Sequence, residues 1–237
     1  MIRILLTSAL FSSGRIMRFR SLLVVLTLCV PALSFSGTAQ SDARPLLNQL
    51  ISKYEGISSI ESHVHLTIEL PEQSAVEQDM TIYQKENMFR LESKDQTVIS
   101  DGKTIWTYTP EDNRVVLTYA DAGETDSGMN FNSPHAMLKQ LLDQSSMQRL
   151  AGTVKKGKHL LTVVEMKPKD VDSEFFKVKL LVDKARLTLK ELKSFSKDGS
   201  RYILSIDKVI PNPSLKKTLF TFDKTKYPGV EVEDLRI

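Results

Sequence analysis

Cysteine is all but missing from this 237-residue chain: the only one, Cys29, lies in an apolar stretch near the start. No disulfide can therefore staple the rest of the sequence. Catalytic signatures are missing as well. There is no G-x-S-x-G elbow, no His-Glu-x-x-His pair and no phosphate-binding loop. Aromatic residues make up only 7%, with a single tryptophan, Trp106. The four histidines are His63, His65, His135 and His159. His63 and His65 fall on one face of a strand pattern, but no third ligand follows at metal-binding spacing, so they read as exposed strand histidines. Asp101 with Glu111 or Asp112 is a carboxylate pair that turn and loop chemistry already explains. These absences argue against a disulfide scaffold, a metal site, a bound cofactor and an enzyme.

What is present begins with an export pattern. Met17 is followed by Arg18 and Arg20, then by the apolar run Leu22 to Val30, which Pro31 closes. Gly37 and Ala39 occupy the small-residue positions of a cleavage site after Ala39. The run is shorter than the ~20 residues that span a bilayer. Residues 1–39 are thus expected to be a signal peptide with its true start at Met17, and 40–237 a single domain. Leu26 suits lipid attachment at Cys29, but the bulky Leu28 does not. Residues 1–39 carry four arginines and no acid, so their loss lowers Lys plus Arg from 32 to 28 against 29 Asp plus Glu. The mature charge of about −1 removes any argument for nucleic acid.

The remainder alternates with a strand period. Val64, Leu66, Ile68 and Leu70 interleave with His63, His65, Thr67 and Glu69 before Pro71. Met80 and Ile82 share a face in the next segment. Asp101-Gly102 marks a hairpin, and Trp106 and Tyr108 share a face of the strand that follows, where they either line a ligand cavity or fill core. Further short strands are expected at 115–119, 159–166, 174–183, 186–195, 201–209 and 218–222. Two segments have helical spacing instead. Residues 42–57 open with Asp42 and Pro45, carry Leu46, Leu47, Leu50, Ile51 and Tyr54, and end at Gly56. After the polar loop 121–132, Ser133-Pro134 starts a helix with Met137, Leu138, Leu141 and Leu142 on its apolar face. The fold class is mainly β with a few helices, in one curled antiparallel sheet. The strand face from Val64 to Leu70, Met80, Ile82, Trp106, Tyr108 and the second helix's apolar face are expected to line one lipid-binding cavity.

The stretch from Val98 to Pro110, VISDGKTIWTYTP, resembles a characteristic segment of the outer-membrane lipoprotein carrier family, LolA. The ending is similar too: Phe220-Thr221-Phe222, then Pro228-Gly229-Val230, then Asp234-Leu235-Arg236. The resemblance extends over nearly all of residues 40–237. It implies an incomplete half-barrel whose helices form a lid over an apolar cavity. It also implies a periplasmic carrier, expected to be a monomer, that takes acylated lipoproteins from an inner-membrane ABC exporter to an outer-membrane acceptor. A lid-latching Arg of the family corresponds to Lys85, with Glu86 in place of the following Pro; an ammonium cannot reproduce a planar guanidinium fork. Alternatives are a binder of another lipid, a lipoprotein-sensing regulator and, third, a periplasmic hydrolase.

Overall fold

The protein is described from a computed structural model covering residues 41–120 and 134–236. The expected signal peptide with Cys29, and the loop 121–132, lie outside the described residues, as does the side chain of His135. Among the described residues the chain is mainly β. Its strands are β1 (Ser59–Glu69), β2 (Val76–Lys85), β3 (Met88–Ser93), β4 (Thr97–Ser100), β5 (Thr104–Thr109) and β6 (Arg114–Tyr119), followed by β7 (Ser145–Lys156), β8 (His159–Pro168), β9 (Phe175–Asp183), β10 (Thr188–Ser196), β11 (Arg201–Pro211) and β12 (Glu231–Asp234). All twelve form one sheet in the order β12-β6-β5-β4-β3-β2-β1-β11-β10-β9-β8-β7. It consists of two antiparallel meanders joined where β1 pairs with β11. Only β12, on β6, is parallel. The sheet is open, with β12 and β7 as its edges.

Short local turns produce this order. At the β4–β5 turn the Asp101 carboxylate accepts the N–H groups of Lys103 and Thr104, both at 2.8 Å. Gly102 has φ +88°, and a Cβ there would lie 2.3 Å from the Asn87 side chain. Both facts require glycine. Register then sorts the side chains, because directly paired residues share a face. Val64 pairs with Met80 and Ile206, and Leu66 with Leu204. Ile82 pairs with Leu91, Leu91 with Val98, and Val98 with Thr107. These form the inner face. A bulge between His63 and Val64 leaves Asp207 without a partner across β1. That extra residue lets Ile206 and Val209, three positions apart, both point inward.

Two α-helices cover the inner face, α1 (Arg44–Glu55) and α2 (Pro134–Asp143). Asp42 Oδ1 accepts the Arg44 N–H at 2.9 Å, and Pro45 sits in the first turn. Leu46, Leu47, Leu50, Ile51 and Tyr54 are all buried in one cluster with Val164, Leu180, Val182, Leu189 and Leu192. Burial of each such side chain contributes about 1.5–3 kcal/mol relative to exposure, so the stripe fastens α1 to the sheet. Helix α2 packs on α1. Its C-terminal end is tied down where Ser145 Oγ donates to the Leu141 carbonyl, and Gln148 Nε2 to those of Leu142 and Ser145.

Three features differ from the sequence expectation. Residues 218–222 do not form a strand. Lys217–Phe220 is a 3-10 helix, part of a strap that packs on the opposite, outer face. Phe220 is fully buried, and Phe222 stacks on Tyr227 with centroids 4.7 Å apart. These aromatic anchors hold the strap by packing, without strand pairing. Strands β7 and β12 were not anticipated. From Ala151 onward β7 is exposed, and β12 is exposed throughout, so neither shows apolar alternation. Leu138, expected to face a ligand, is fully buried in the main core. Leu138→Ala should cost about 3 kcal/mol, read as a lower urea midpoint at unchanged slope; a loss under about 1 kcal/mol would mean the site collapses freely.

Candidate functional site

A small apolar cavity lies between the helices and the middle of the inner face. Val64 and Ile82 form part of its floor, with Leu204, Ile206 and Val209 from β11. Tyr54 and Leu189 close one part, and Pro134 and Met137 of α2 another. Ser62 and Gln84 are its polar residues, both buried. The cavity volume is about 50 Å³, room for one or two waters at roughly 30 Å³ each. Tyr54 contributes its ring to the cavity wall, and its hydroxyl accepts the Leu189 N–H at 3.4 Å. Burial pushes the Tyr54 phenol up, the Leu189 hydrogen bond opposing it only in part, so the ring stays neutral.

The expected site residues divide into four groups. Val64, Ile82 and Met137 line the cavity. Leu66, Ile68 and Met80 continue the same strand face, half-buried, while Leu70 follows the end of β1 and is also half-buried. Leu138 belongs to the main core, with Leu141 and Leu142 packed against it. Trp106 and Tyr108 are elsewhere. Trp106 pairs with Ile99 and Leu117, on the face opposite to Ile82, Leu91 and Val98. Both pack on Val115, Leu117 and Val230 beneath the strap, and Tyr108 lies 4.4 Å from the Tyr227 ring. The expected single cavity is thus divided, because strand alternation fixes which residues travel together but not which set faces the helices.

Lys85 also points to the outer face. Its Nζ donates to the Leu215 carbonyl at 3.1 Å, which secures the strap rather than either helix. Arg90 does the same from the neighbouring strand β3, donating to the Leu219 carbonyl while pairing with Glu92 at 2.6 Å. Conversely, Phe89, Leu91, Val98 and Ile105 were missed. Register places them on the inner face, half-buried, beside Ile82 and Met80. The pairing across the Asp101-Gly102 turn was the signal that could have found them. His63 bonds Glu61 at 2.9 Å and His65 bonds Asp79 at 2.7 Å. Among the described residues no group of three His, Cys, Asp or Glu is placed to hold a metal, and no helix is long and apolar enough to cross a membrane.

These features define a class: an open-sheet protein with amphipathic helices over an apolar hollow and its outer face bound by a C-terminal strap. Residues 79–223, more than half of the sequence, match the family described as outer membrane lipoprotein carrier protein LolA. The chain belongs to that family. Among its relatives is the outer-membrane lipoprotein carrier protein of Pasteurella multocida strain Pm70, 27% identical over 217 residues, covering 89% of this chain and 96% of the relative. The corresponding protein of Histophilus somni strain 2336 is 26% identical over 156 residues, covering 63% of this chain and 67% of the relative. The fold is similar to that of an uncharacterized conserved protein from Thermus thermophilus, with a TM-score of 0.53 at 12% identity, covering 81% of this chain and 99% of that one.

Tyr54→Phe removes the acceptor for the Leu189 N–H while keeping the ring. It should cost about 1 kcal/mol and leave the near-ultraviolet signature of the packed core intact, which thermal and chemical unfolding followed by circular dichroism would measure.

Proposed function

We propose that this protein is a periplasmic carrier that buries the acyl chains of lipoproteins on the inner face of its sheet. It would receive them from an inner-membrane ABC exporter and yield them to an outer-membrane acceptor. The observation that carries this reading is the coincidence of family membership over residues 79–223 with an apolar hollow under two helices. The physical need is direct. Each methylene left in water costs about 0.8 kcal/mol, so a sixteen-carbon chain costs on the order of 12 kcal/mol to carry unshielded.

The hollow of about 50 Å³ is far too small for such a chain. Loading therefore requires the helices to act as a lid and move. The helices are the softer choice, since α1 and α2 are held mainly by side-chain packing and a few side-chain hydrogen bonds, and the strands by their backbone ladders. An acyl chain entering along Val64, Ile82 and Met80 would replace the contacts that Tyr54 and Met137 make in the closed form. Half-buried Phe89, Leu91 and Val98 extend the surface toward β4. Opening costs packing that the ligand restores, so release is passive and follows whichever acceptor holds the chain more tightly.

Two measurements test this. In native mass spectrometry with synthetic triacylated lipopeptide, a one-to-one complex is expected, and none with the deacylated peptide. Equal binding of both would sink the carrier reading, and selective retention of a phospholipid instead would mark a binder of another lipid. Val64→Phe should fill the hollow from its floor. Lipopeptide affinity is expected to fall about tenfold or more, while stability changes by no more than the roughly 1–3 kcal/mol of overpacking; unchanged affinity would mean that acyl chains bind elsewhere.

A further inference from the structure

One end of the sheet carries a basic tip that the carrier reading does not use. Strand β9 begins to pair with β8 only at Thr162–Val182, so the β7–β8 ribbon projects beyond it to the turn between Lys156 and His159. Residues 151–158 are all exposed. The β9–β10 turn lies against this ribbon: Arg186 Nη1 is 3.3 Å from His159 Nδ1 and 3.0 Å from Asp183 Oδ2. Helix α1 joins them through Lys53 Nζ, which donates to the Arg186 carbonyl at 2.6 Å. Lys53, Arg186 and His159 are thus joined, and the same end of the sheet carries Lys156 on the His159 face of the ribbon, Lys155 on the other, Lys158 in its turn and Lys184 in the β9–β10 turn. The carboxylates tied to this cluster are already engaged, Asp183 by Arg186 and Glu191 by Lys156. Among the described residues Lys155, Lys158 and Lys184 form no ion pair. On the Lys155 face of the ribbon Leu160 is 67% exposed, and on the opposite face Val154 is 39% exposed.

We propose that this tip docks on an anionic phospholipid bilayer. Clustered lysines gain from the negative potential of such a surface, on the order of fivefold in affinity for each. Their long stems let the ammonium groups stay among headgroups while an apolar neighbour sinks below them. Leu160, paired directly with Lys155, is that neighbour. A narrow convex ribbon offers little area to a folded protein partner, whereas a fluid surface closes around it. The tip is also tied to the elements that line the hollow: Lys53 and Arg186, bonded to each other, lie one and three residues before Tyr54 and Leu189 in the sequence. The inference does not depend on what the hollow carries.

The test is sedimentation of the purified protein with vesicles of phosphatidylethanolamine and phosphatidylglycerol, against vesicles of phosphatidylcholine alone. Binding to the anionic vesicles is expected, and it should weaken steeply with added salt as exposed charges are screened. Combined Lys155→Gln, Lys158→Gln and Lys184→Gln should lower it at least tenfold. Leu160→Ser should lower it severalfold with the salt dependence retained. The matched control, Lys103→Gln, Lys217→Gln and Lys224→Gln, removes the same charge elsewhere and should bind as the unaltered protein does. Three results would overturn the proposal: no preference for anionic vesicles, equal losses in the two triple variants, or capture of polyglutamate without vesicle binding, which would mark a site for acidic protein. Because these vesicles contain no acylated peptide, their result leaves the carrier reading to stand or fall on its own measurement.

Discussion

Everything in this molecule hangs on the register at which β1 meets β2 on one side and β11 on the other. Those two ladders, pairing Val64 with Met80 and with Ile206, turn one apolar strand into the centre of a continuous apolar face. A slip of one residue would exchange Val64 for the His63 and His65 row, which carries Glu61 and Asp79 with it. The bulge at Asp207 shows how closely the arrangement is set. It adds one residue to β11 so that Ile206 and Val209 both reach the hollow. From there the register runs without a shift through β2 to β6, which sets Leu91, Val98 and Ile105 on the same side at no further cost in special residues.

That face needs cover, and the helices supply it in an unequal way. Helix α1 commits five side chains to the β8–β10 half of the sheet, where the core is fully buried. Over the β1–β3 part the inner-face residues are mostly half-buried, and the hollow sits at the boundary between the two regimes. The fully buried half concentrates the apolar packing, and the loosely covered half leaves its apolar side chains half-exposed. Such a division of labour suits local opening, since the cost of exposing a region falls with the packing it has to give up.

The sequence made the elements legible and left the faces open. The helices were readable because α1's stripe and the Met137 to Leu142 face have a period that only a helix satisfies. Most strands were readable from alternation between turn residues. Trp106 and Tyr108 show the limit. Two aromatic residues at strand spacing identify a face, but Thr107 and Ile105 on the other side are apolar enough to serve inward, and they do. Only the partner strand decides, and its register depends on the geometry of the Asp101–Thr104 turn. The strap was illegible for a related reason. Phe220 and Phe222 alternate as a strand would, yet they bury against a face that already has its neighbours, so packing replaces pairing. Lys85 was read through a family counterpart as a tie to the lid. The odd parity of β2 turns it outward to the Leu215 carbonyl instead.

The family-like stretch from Val98 to Pro110 therefore owes its character to the outer face as much as to any ligand. Asp101 and Gly102 build the turn, and Trp106 and Tyr108 receive the strap through Phe222, Tyr227 and Val230. The strap in turn accepts hydrogen bonds from Lys85 and Arg90 on β2 and β3, the strands whose inner faces carry Ile82, Phe89 and Leu91. A sheet with one loosely covered face would be free to flatten or twist as a ligand enters. Bracing it from behind, across β2 to β6, fixes its shape without drawing on the helices in front. The outer face is thus held by packing and hydrogen bonds of its own, independent of what covers the inner one.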